Sequence, residues 1–139
     1  MSEPLLEAAR AARLRAHAPY SNFYVGCAVE SADGEVAVGA NMENACYRLG
    51  VCAEQSALTA AQQAFGLENV RRILVIGGPK DESQPGVGPV TPCGGCRQAI
   101  AEAAQLSGAN IEVLCCDREG GEVLMTSIAE LLPAAFNLD

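Results

Sequence analysis

Three cysteines in two short motifs restrict what this chain can fold into. Cys52 stands two residues before Glu54, and Cys93 and Cys96 lie in the run Pro92-Cys93-Gly94-Gly95-Cys96. A fold that joins the two motifs places three thiols and one carboxylic acid together. Three thiolates leave the fourth position of a tetrahedral zinc ion open, as in catalytic zinc sites. Because such an ion lowers the pKa of bound water, the motifs predict a hydrolytic site in which Glu54 moves the protons.

The cysteine count and the charge narrow the class of protein. The chain has 139 residues and seven cysteines, with no apparent secretory signal or membrane-length apolar run. Reduced thiols are then expected, which favours metal binding over disulfides and predicts a cytoplasmic location and no membrane partner. Half the residues are apolar, which suits a single domain over residues 1–139. A net charge of −8 favours a small-molecule substrate over a nucleic acid polymer.

Hydrophobic patterning predicts the element order α-β-β-α-β-α-β-β-α. The first helix is predicted to begin at Ser2-Glu3-Pro4 and to end near His17. Strands are predicted at 23–31, 35–41, 72–77, 111–117 and 122–125, and further helices at 52–65, 93–108 and 127–132. The predicted fold class is therefore α/β, a three-layer α-β-α sandwich with a mixed five-stranded sheet.

Both cysteine motifs fall at predicted helix N-termini, where the helix dipole favours thiolates. Three thiolates and one zinc ion still carry a net negative charge, and Arg97, next to Cys96, can offset it if it points inward. The ligand-x-Glu and Pro-Cys-x-x-Cys spacing resembles the signature of zinc-dependent deaminases, which implies attack of zinc-bound hydroxide on C4 of a cytosine ring. Glu54 is expected to pass the water proton to ring N3 and later to help protonate the departing ammonia.

Several other segments make the chain resemble the small, homotetrameric cytidine deaminases. The resemblance covers nearly the whole chain. It is carried by Ala18-Pro19-Tyr20-Ser21-Asn22-Phe23 with Val25-Gly26, Asn41-Met42-Glu43-Asn44-Ala45-Cys46-Tyr47, Cys52-Ala53-Glu54, Pro92-Cys93-Gly94-Gly95-Cys96-Arg97-Gln98, and Glu130-Leu131-Leu132-Pro133 with Phe136. It implies one zinc ion per chain, deamination of cytidine and 2′-deoxycytidine in pyrimidine salvage, and a homotetramer with shared active sites.

The resemblance also implies roles for residues that would bind the nucleoside. Asn41 and Glu43 match the pair that holds the ribose 3′-hydroxyl, and Phe23 matches an aromatic residue lying against the pyrimidine. Backbone groups around Ala53 would contact the edge of the base. Phe136 matches an aromatic residue that enters a neighbouring subunit's site.

Two further positions bear on the assembly and the charge of the site. Tyr47 matches a loop tyrosine at the subunit contact. Many relatives carry arginine directly after the catalytic glutamate, whereas this chain has Gln55. An amide can donate a hydrogen bond to a thiolate but brings no charge. We therefore expect Arg97, the helix ends or a residue such as Arg48 to supply more of the compensation.

Simpler interpretations remain for several of these residues. Cys93 and Cys96 alone would also fit a redox pair or half of a structural zinc site. Cys46 could act as an alternative metal ligand. The remaining cysteines and the histidine are expected to be structural: Cys27 as a small buried residue, Cys115 and Cys116 on opposite faces of a strand, and His17 at a helix end.

Three alternatives to cytidine deamination also follow from the sequence. The first is deamination of a cytosine-bearing antibiotic such as blasticidin S. We place this substrate second to cytidine, because the run Asn41-Met42-Glu43-Asn44 favours a pocket that binds ribose. The second is deamination within a nucleic acid strand, which fits poorly with the acidic composition. The third, from a different class, is a redox or structural zinc-binding module.

Overall fold

The computed structural model describes residues 3–138, and this part of the chain folds into four α-helices and five strands. The helices are α1 (Glu3–Arg13), α2 (Ala53–Ala64), α3 (Gly94–Ser107) and α4 (Ile128–Leu131). The strands are β1 (Phe23–Ser31), β2 (Val36–Ala40), β3 (Val70–Pro79), β4 (Glu112–Cys116) and β5 (Val123–Ser127). The predicted order of elements is confirmed.

The strands form one mixed sheet in the order β2-β1-β3-β4-β5. Strands β3 and β4 are parallel, and the other neighbouring pairs are antiparallel. The central strand β3 contains the buried run Ile73–Ile76, as expected for a strand that is covered on both faces. The predicted mixed five-stranded sheet is confirmed. Within residues 3–138, no helix has the length and apolar character needed to span a membrane.

Alternating side chains divide the core into two layers on opposite faces of the sheet. One layer joins α2 and α3 to sheet residues that include Cys27, Val75 and Cys115. The other joins α1 to sheet residues that include Leu74 and Cys116. Helices therefore cover both faces, which confirms the predicted three-layer sandwich. Cys115 and Cys116 belong to different layers, as predicted from their adjacency in a strand.

Two glycines let helices approach the β1–β2 hairpin from opposite sides. A side chain on Gly26 would collide with the backbone of Ala9 and Arg13 in α1. A side chain on Gly39 would collide with the backbone of Ala57 in α2. The absence of a Cβ atom at Gly26 thus sets how closely α1 lies on the sheet, and its absence at Gly39 does the same for α2, which carries part of the site.

The first helix is shorter than predicted, because hydrogen bonds from Arg13 to the sheet and from His17 to the loop after β2 replace a further turn of helix. Helix α1 ends at Arg13, and the predicted end near His17 is wrong. The Arg13 side chain donates hydrogen bonds to backbone carbonyls of β1 and β3. The N–H of His17 donates to the Asn41 carbonyl at 3.0 Å, which pulls the chain away from the helix path. Ser2, the predicted helix cap, lies outside the described residues.

Candidate active site

The two cysteine motifs meet where α2 and α3 begin. Cys52 and Cys93 are the N-cap residues of these helices, and Cys96 lies in the first turn of α3. The three Sγ atoms lie within 4.8 Å of one another. Zinc–sulfur bonds of about 2.3 Å in tetrahedral geometry require sulfur atoms about 3.8 Å apart. The cluster therefore fits one zinc ion, held by Cys52, Cys93 and Cys96.

The electrostatics of the cluster also suit a cation. Burial raises the pKa of Cys96, and repulsion from Glu54 and Cys52 raises it further. Burial is likewise the main cause of the raised pKa of Cys52. Within residues 3–138, no lysine or arginine contributes to lowering the pKa of any of the three thiols. A divalent ion would relieve this repulsion and favour the thiolates, so the donor set has the character of a metal site.

Cys93 is the thiol on which the helix N-terminus acts most directly. The backbone amide of Cys96 is the largest cause of its lowered pKa, and the amide of Gly95 lowers it further. Both amides belong to the first turn of α3, where N–H groups have no partner within the helix. The backbone of α3 thus supplies part of the positive potential that the thiolates need.

Glu54 lies in the first turn of α2, beneath the thiols. Its side chain is 5% exposed, and burial raises the pKa of its carboxyl group. Its own backbone amide and the Cys96 thiol lower that pKa, so the carboxyl group lies beside the metal cluster. On its other side are the buried thiols of Cys27 and Cys115, whose pKa values are raised by burial and also by the Glu54 charge. Glu54 therefore lies between the metal cluster and the sheet.

The thiols face an open cavity of about 370 Å³. Gln55 lines this cavity together with Cys52, Cys93 and Cys96. A longer cationic side chain at position 55 would thus share one cavity with the thiols. Cys46 and His17 are both exposed, and neither belongs to the cluster of metal-ligating side chains found in residues 3–138.

Phe23 and Asn41, predicted to bind the nucleoside, are in direct contact. Phe23 is the first residue of β1, and its carbonyl accepts a hydrogen bond of 2.9 Å from Asn41 Nδ2. Asn41 Oδ1 accepts a second bond of 2.9 Å from the N–H of Val25. These two bonds fix the orientation of the Asn41 amide and leave it one further N–H to donate.

Glu43 joins the same group of residues through Ser21. Glu43 Oε1 accepts hydrogen bonds from the N–H groups of Tyr20 at 2.9 Å and Ser21 at 3.2 Å. The Ser21 hydroxyl donates to Glu43 Oε2 at 2.5 Å and accepts from the N–H of Phe23 at 3.0 Å. The hydrogen bond from the Ser21 side chain is the largest cause of the lowered pKa of Glu43. Ser21 therefore links Glu43 to Phe23, a role that no local sequence pattern indicates.

The two aromatic residues predicted near a neighbouring subunit are exposed in the single chain. Tyr47 is 82% exposed, and its ring meets the Tyr20 ring edge-on with centroids 6.3 Å apart. Phe136 is 69% exposed, and its backbone is hydrogen-bonded to the side chain of Gln98. The sequence placed Gln98 in a motif but gave no indication of this partner, which lies far along the chain.

Arg97 is engaged with backbone carbonyls on two sides of α3. Its Nε donates to the Pro92 carbonyl at 2.8 Å, and a terminal nitrogen donates to the Leu131 carbonyl at 3.1 Å. The Arg97 charge counteracts part of the rise in the pKa of Cys115, for which burial is the main cause. The positive charge of Arg97 thus acts on Cys115, a buried thiol on which the charge of Glu54 also acts.

A three-cysteine metal site beside a buried carboxylic acid is the arrangement of the zinc-dependent deaminases. The chain belongs to that group: a family model described as "Cytidine and deoxycytidylate deaminase zinc-binding region" matches residues 1–107. The fold, the donor set and the position of Glu54 agree with this membership.

Individual relatives resemble the chain over most of its length. A cytidine deaminase of Halalkalibacterium halodurans is 40% identical over 135 residues, which cover 97% of this chain and 93% of the relative. The crystal structure of a cytidine deaminase from Burkholderia pseudomallei has a TM-score of 0.82 and 42% identity, covering 98% of this chain and 100% of that one. A blasticidin-S deaminase of Bacillus cereus is 30% identical over 114 residues, covering 81% and 76%.

Proposed function

We propose that this protein catalyses the hydrolytic deamination of cytidine and 2′-deoxycytidine to uridine and 2′-deoxyuridine. The observation that carries the proposal is the convergence of Cys52, Cys93 and Cys96 beside the buried carboxyl group of Glu54. Similarity to cytidine deaminases over nearly the full chain supports the choice of substrate. The reaction forms a C–O bond at C4 of the pyrimidine, breaks the C–N bond to the amino group, and consumes one water molecule.

Glu54 is the proposed proton carrier. When bound by the three thiolates, zinc supplies a Lewis acid that activates water near neutral pH. Glu54 accepts a proton from the attacking water and passes it to ring N3. It then helps to protonate the amino group that leaves as ammonia. Burial of Glu54 beneath the thiols supports this role, since bulk water is kept from the carboxyl group.

Phe23, Asn41 and Glu43 are the proposed nucleoside contacts. Asn41 has one amide N–H left to donate, and the Glu43 carboxylate can accept from a ribose hydroxyl. We assign this pair to the 3′-hydroxyl and Phe23 to the face of the pyrimidine. Backbone groups around Ala53, the first residue of α2, would bind the edge of the base. The hydrogen bonds that orient Asn41 and Glu43 support these assignments, because a preoriented group loses less entropy on binding.

Full substrate binding is proposed to need a homotetramer with shared active sites. Met42, Tyr47 and Phe136 expose large apolar surfaces, and the first two lie in the loop that also carries Glu43. Exposed apolar side chains next to a binding site are typical of subunit contacts. We propose that Tyr47 lies at such a contact and that Phe136 enters the site of a neighbouring subunit.

Charge compensation in this chain is proposed to come mainly from helix N-termini, with Arg97 contributing one layer below the metal ligands. The amides of the first turn of α3 act directly on Cys93, whereas the Arg97 guanidinium is hydrogen-bonded to two backbone carbonyls and acts on the neighbouring thiol of Cys115. Gln55 can donate a hydrogen bond into the same cavity. If charge at position 55 limits the reaction, Gln55→Arg should alter kcat or its pH profile, and unchanged kinetics would exclude such a limit.

We also propose that residues 1–139 form one deaminase domain acting in cytoplasmic pyrimidine salvage. One sheet includes strands from residue 23 to residue 127, which supports a single unit. All seven cysteines are free, in keeping with a reducing compartment.

The direct test is ultraviolet-monitored deamination of cytidine by the purified protein, with zinc quantified on the same sample. We expect turnover and about one zinc ion per chain. A protein with one zinc ion and no turnover of cytidine would contradict the proposed substrate, and a zinc-free protein that cycles one disulfide would instead be a redox module.

Blasticidin S is the second candidate substrate, because one relative of this chain is a blasticidin-S deaminase. Paired kinetics with cytidine and blasticidin S distinguish the two. We expect a higher kcat/KM for cytidine, since Asn41 and Glu43 present a donor and an acceptor suited to a ribose hydroxyl. A higher value for the antibiotic would reverse the assignment.

A further inference from the structure

The side chain of Gln98 holds the backbone of Phe136 from both sides. Gln98 Nε2 donates to the Phe136 carbonyl at 2.8 Å, and Gln98 Oε1 accepts from the Phe136 N–H at 3.2 Å. Only a side chain that is both donor and acceptor can make this pair of bonds. The pair fixes both the position and the direction of the backbone at Phe136.

The C-terminal segment, residues 133–138, has few polar contacts with other elements. Among these described residues, Phe136 alone makes hydrogen bonds to another element, and both go to Gln98. Pro133 and Ala134 form a turn, and Ala135 is half-buried. Phe136 and Leu138 are 69% and 84% exposed, so apolar burial contributes little to ordering these two side chains within one chain. The two bonds to Gln98 therefore offset a large part of the entropy cost of ordering the backbone at Phe136.

Gln98 belongs to the helix that carries two of the metal ligands. It stands two residues after Cys96 in α3. Its neighbour Arg97 binds the carbonyls of Pro92, directly before Cys93, and of Leu131, at the end of α4. Hydrogen bonds from two consecutive residues, Arg97 and Gln98, thus connect the C-terminal part of the chain to the start of α3, where the metal ligands Cys93 and Cys96 lie.

We propose that Gln98 is a positioning residue that holds Phe136 where its ring can enter the neighbouring subunit's site, with Arg97 securing the base of the same segment. This inference rests on the proposed function, which assigns Phe136 to a substrate site. It adds a physical link from the metal-binding helix of one subunit to the nucleoside pocket of another. Gln98 itself does not line the cavity that the three thiols face.

Hydrogen–deuterium exchange of the zinc-loaded protein tests the attachment directly. Gln98→Ala removes both bonds and is expected to speed exchange at the Phe136 amide about tenfold. Gln98→Glu preserves the shape and keeps an acceptor for the Phe136 N–H, but its second oxygen has no proton to donate and is repelled by the Phe136 carbonyl, so exchange should also accelerate. Gln63→Ala is the control, because this exposed glutamine of α2 makes no side-chain hydrogen bond within residues 3–138 and lies away from the C-terminal segment. Exchange unchanged in both Gln98 variants would overturn the inference.

Kinetics on the same samples separate this inference from the proposed function. In Gln98→Ala and Gln98→Glu, KM for cytidine should rise about tenfold while kcat and zinc content change little. A role in packing alone would leave the isosteric Gln98→Glu variant unaffected and would overturn the inference. If Phe136→Ala raises KM and the Gln98 variants do not, only the positioning role fails. If Phe136→Ala has no effect either, the shared-site part of the proposed function fails as well.

Discussion

The metal end of the candidate site (Cys52, Glu54, Cys93 and Cys96) and its proposed nucleoside rim (Phe23, Asn41, Glu43, Tyr47 and Phe136) differ in how far they are buried within one chain. At the metal end Cys96 and Glu54 are 1% and 5% exposed, while Cys52 and Cys93 are exposed toward the cavity. At the rim Phe23, Asn41 and Glu43 are half-buried, and Tyr47 and Phe136 are 82% and 69% exposed. The metal end is built from two helix N-termini packed on one sheet. The rim consists of the start of β1, the loop that follows β2 and the C-terminal segment.

This difference suits a site in which folding of one chain positions the metal end, and assembly with other subunits is proposed to complete the rim. The groups that carry out the chemistry are positioned by the core of a single chain, so disturbing them should abolish turnover. The groups proposed to hold the nucleoside are stabilised by a few polar bonds and, in the same proposal, by neighbouring subunits. Disturbing them should weaken binding while leaving the metal in place.

The largest effect is expected from removing a metal ligand. Cys96→Ala should release zinc and reduce kcat/KM by at least about 10⁴-fold, because two thiolates do not hold the ion in its catalytic geometry. Metal analysis and the cytidine assay measure both changes. Cys46→Ala is the matched control, since that exposed thiol lies outside the cluster and its loss should leave zinc content unchanged. Zinc retained without Cys96 would contradict the assignment.

Glu54→Gln should come next, with a fall in kcat of about 10³-fold and no loss of zinc. The amide matches the carboxyl group in shape but cannot accept and return the proton. Glu102→Gln, on the exposed surface of α3, is the control for the loss of one negative charge. Near-normal turnover in Glu54→Gln would show that protons move by another route.

Phe136→Ala should have an intermediate effect confined to binding. Loss of an aromatic ring against a base weakens binding by about 1–3 kcal/mol, so KM should rise roughly tenfold with kcat and zinc content nearly unchanged. Leu138→Ala removes another exposed apolar side chain from the same segment and should leave KM unaltered. An equal effect of both variants would point to loss of the segment's fold rather than of a specific contact.

The smallest expected effect concerns the pH dependence of KM. The Ser21 hydrogen bond is the main cause of the lowered pKa of Glu43, so Glu43 remains ionised below the usual carboxyl range. Because the pKa of Glu43 is lower in the folded than in the unfolded protein, its ionisation stabilises the fold at pH values above its unfolded pKa. This stabilisation is lost as the pH falls through the lower pKa that Glu43 has in the folded protein. Ser21→Ala should therefore move the rise of KM in acid to higher pH.

Kinetics across the acidic range measure this shift. Ser107→Ala, whose hydroxyl donates to the Ala104 carbonyl within α3, provides the control. Identical acid limbs for the wild type and Ser21→Ala would mean that Glu43 does not bind the nucleoside as a carboxylate.

The same contrast explains how much of the molecule could be predicted from its sequence. Strand β1 was predicted with its observed bounds, because its apolar residues and the following Asp33-Gly34 turn are local signals. The approach of Cys52 to Cys93 was predicted because the two motifs together supply the three thiols and the carboxylic acid of a known zinc-site signature.

Contacts between distant side chains and backbone groups could not be predicted in this way. The sequence gives no sign that Arg13 turns toward β1 and β3 and that α1 stops there. Gln98 is part of a predicted motif, yet its partner Phe136 follows only from the packing of α3 against the C-terminal segment. Such bonds depend on tertiary geometry, for which hydrophobic periodicity and local turn chemistry carry no information.

X-ray absorption spectroscopy at the zinc edge tests the central claim most directly. A metal end completed by one chain predicts three sulfur neighbours at about 2.3 Å and one oxygen or nitrogen neighbour. The spectrum of Glu54→Gln should keep the three sulfur neighbours. Four sulfur neighbours in the wild-type protein would describe a closed, structural zinc site and would contradict the account of a hydrolytic deaminase.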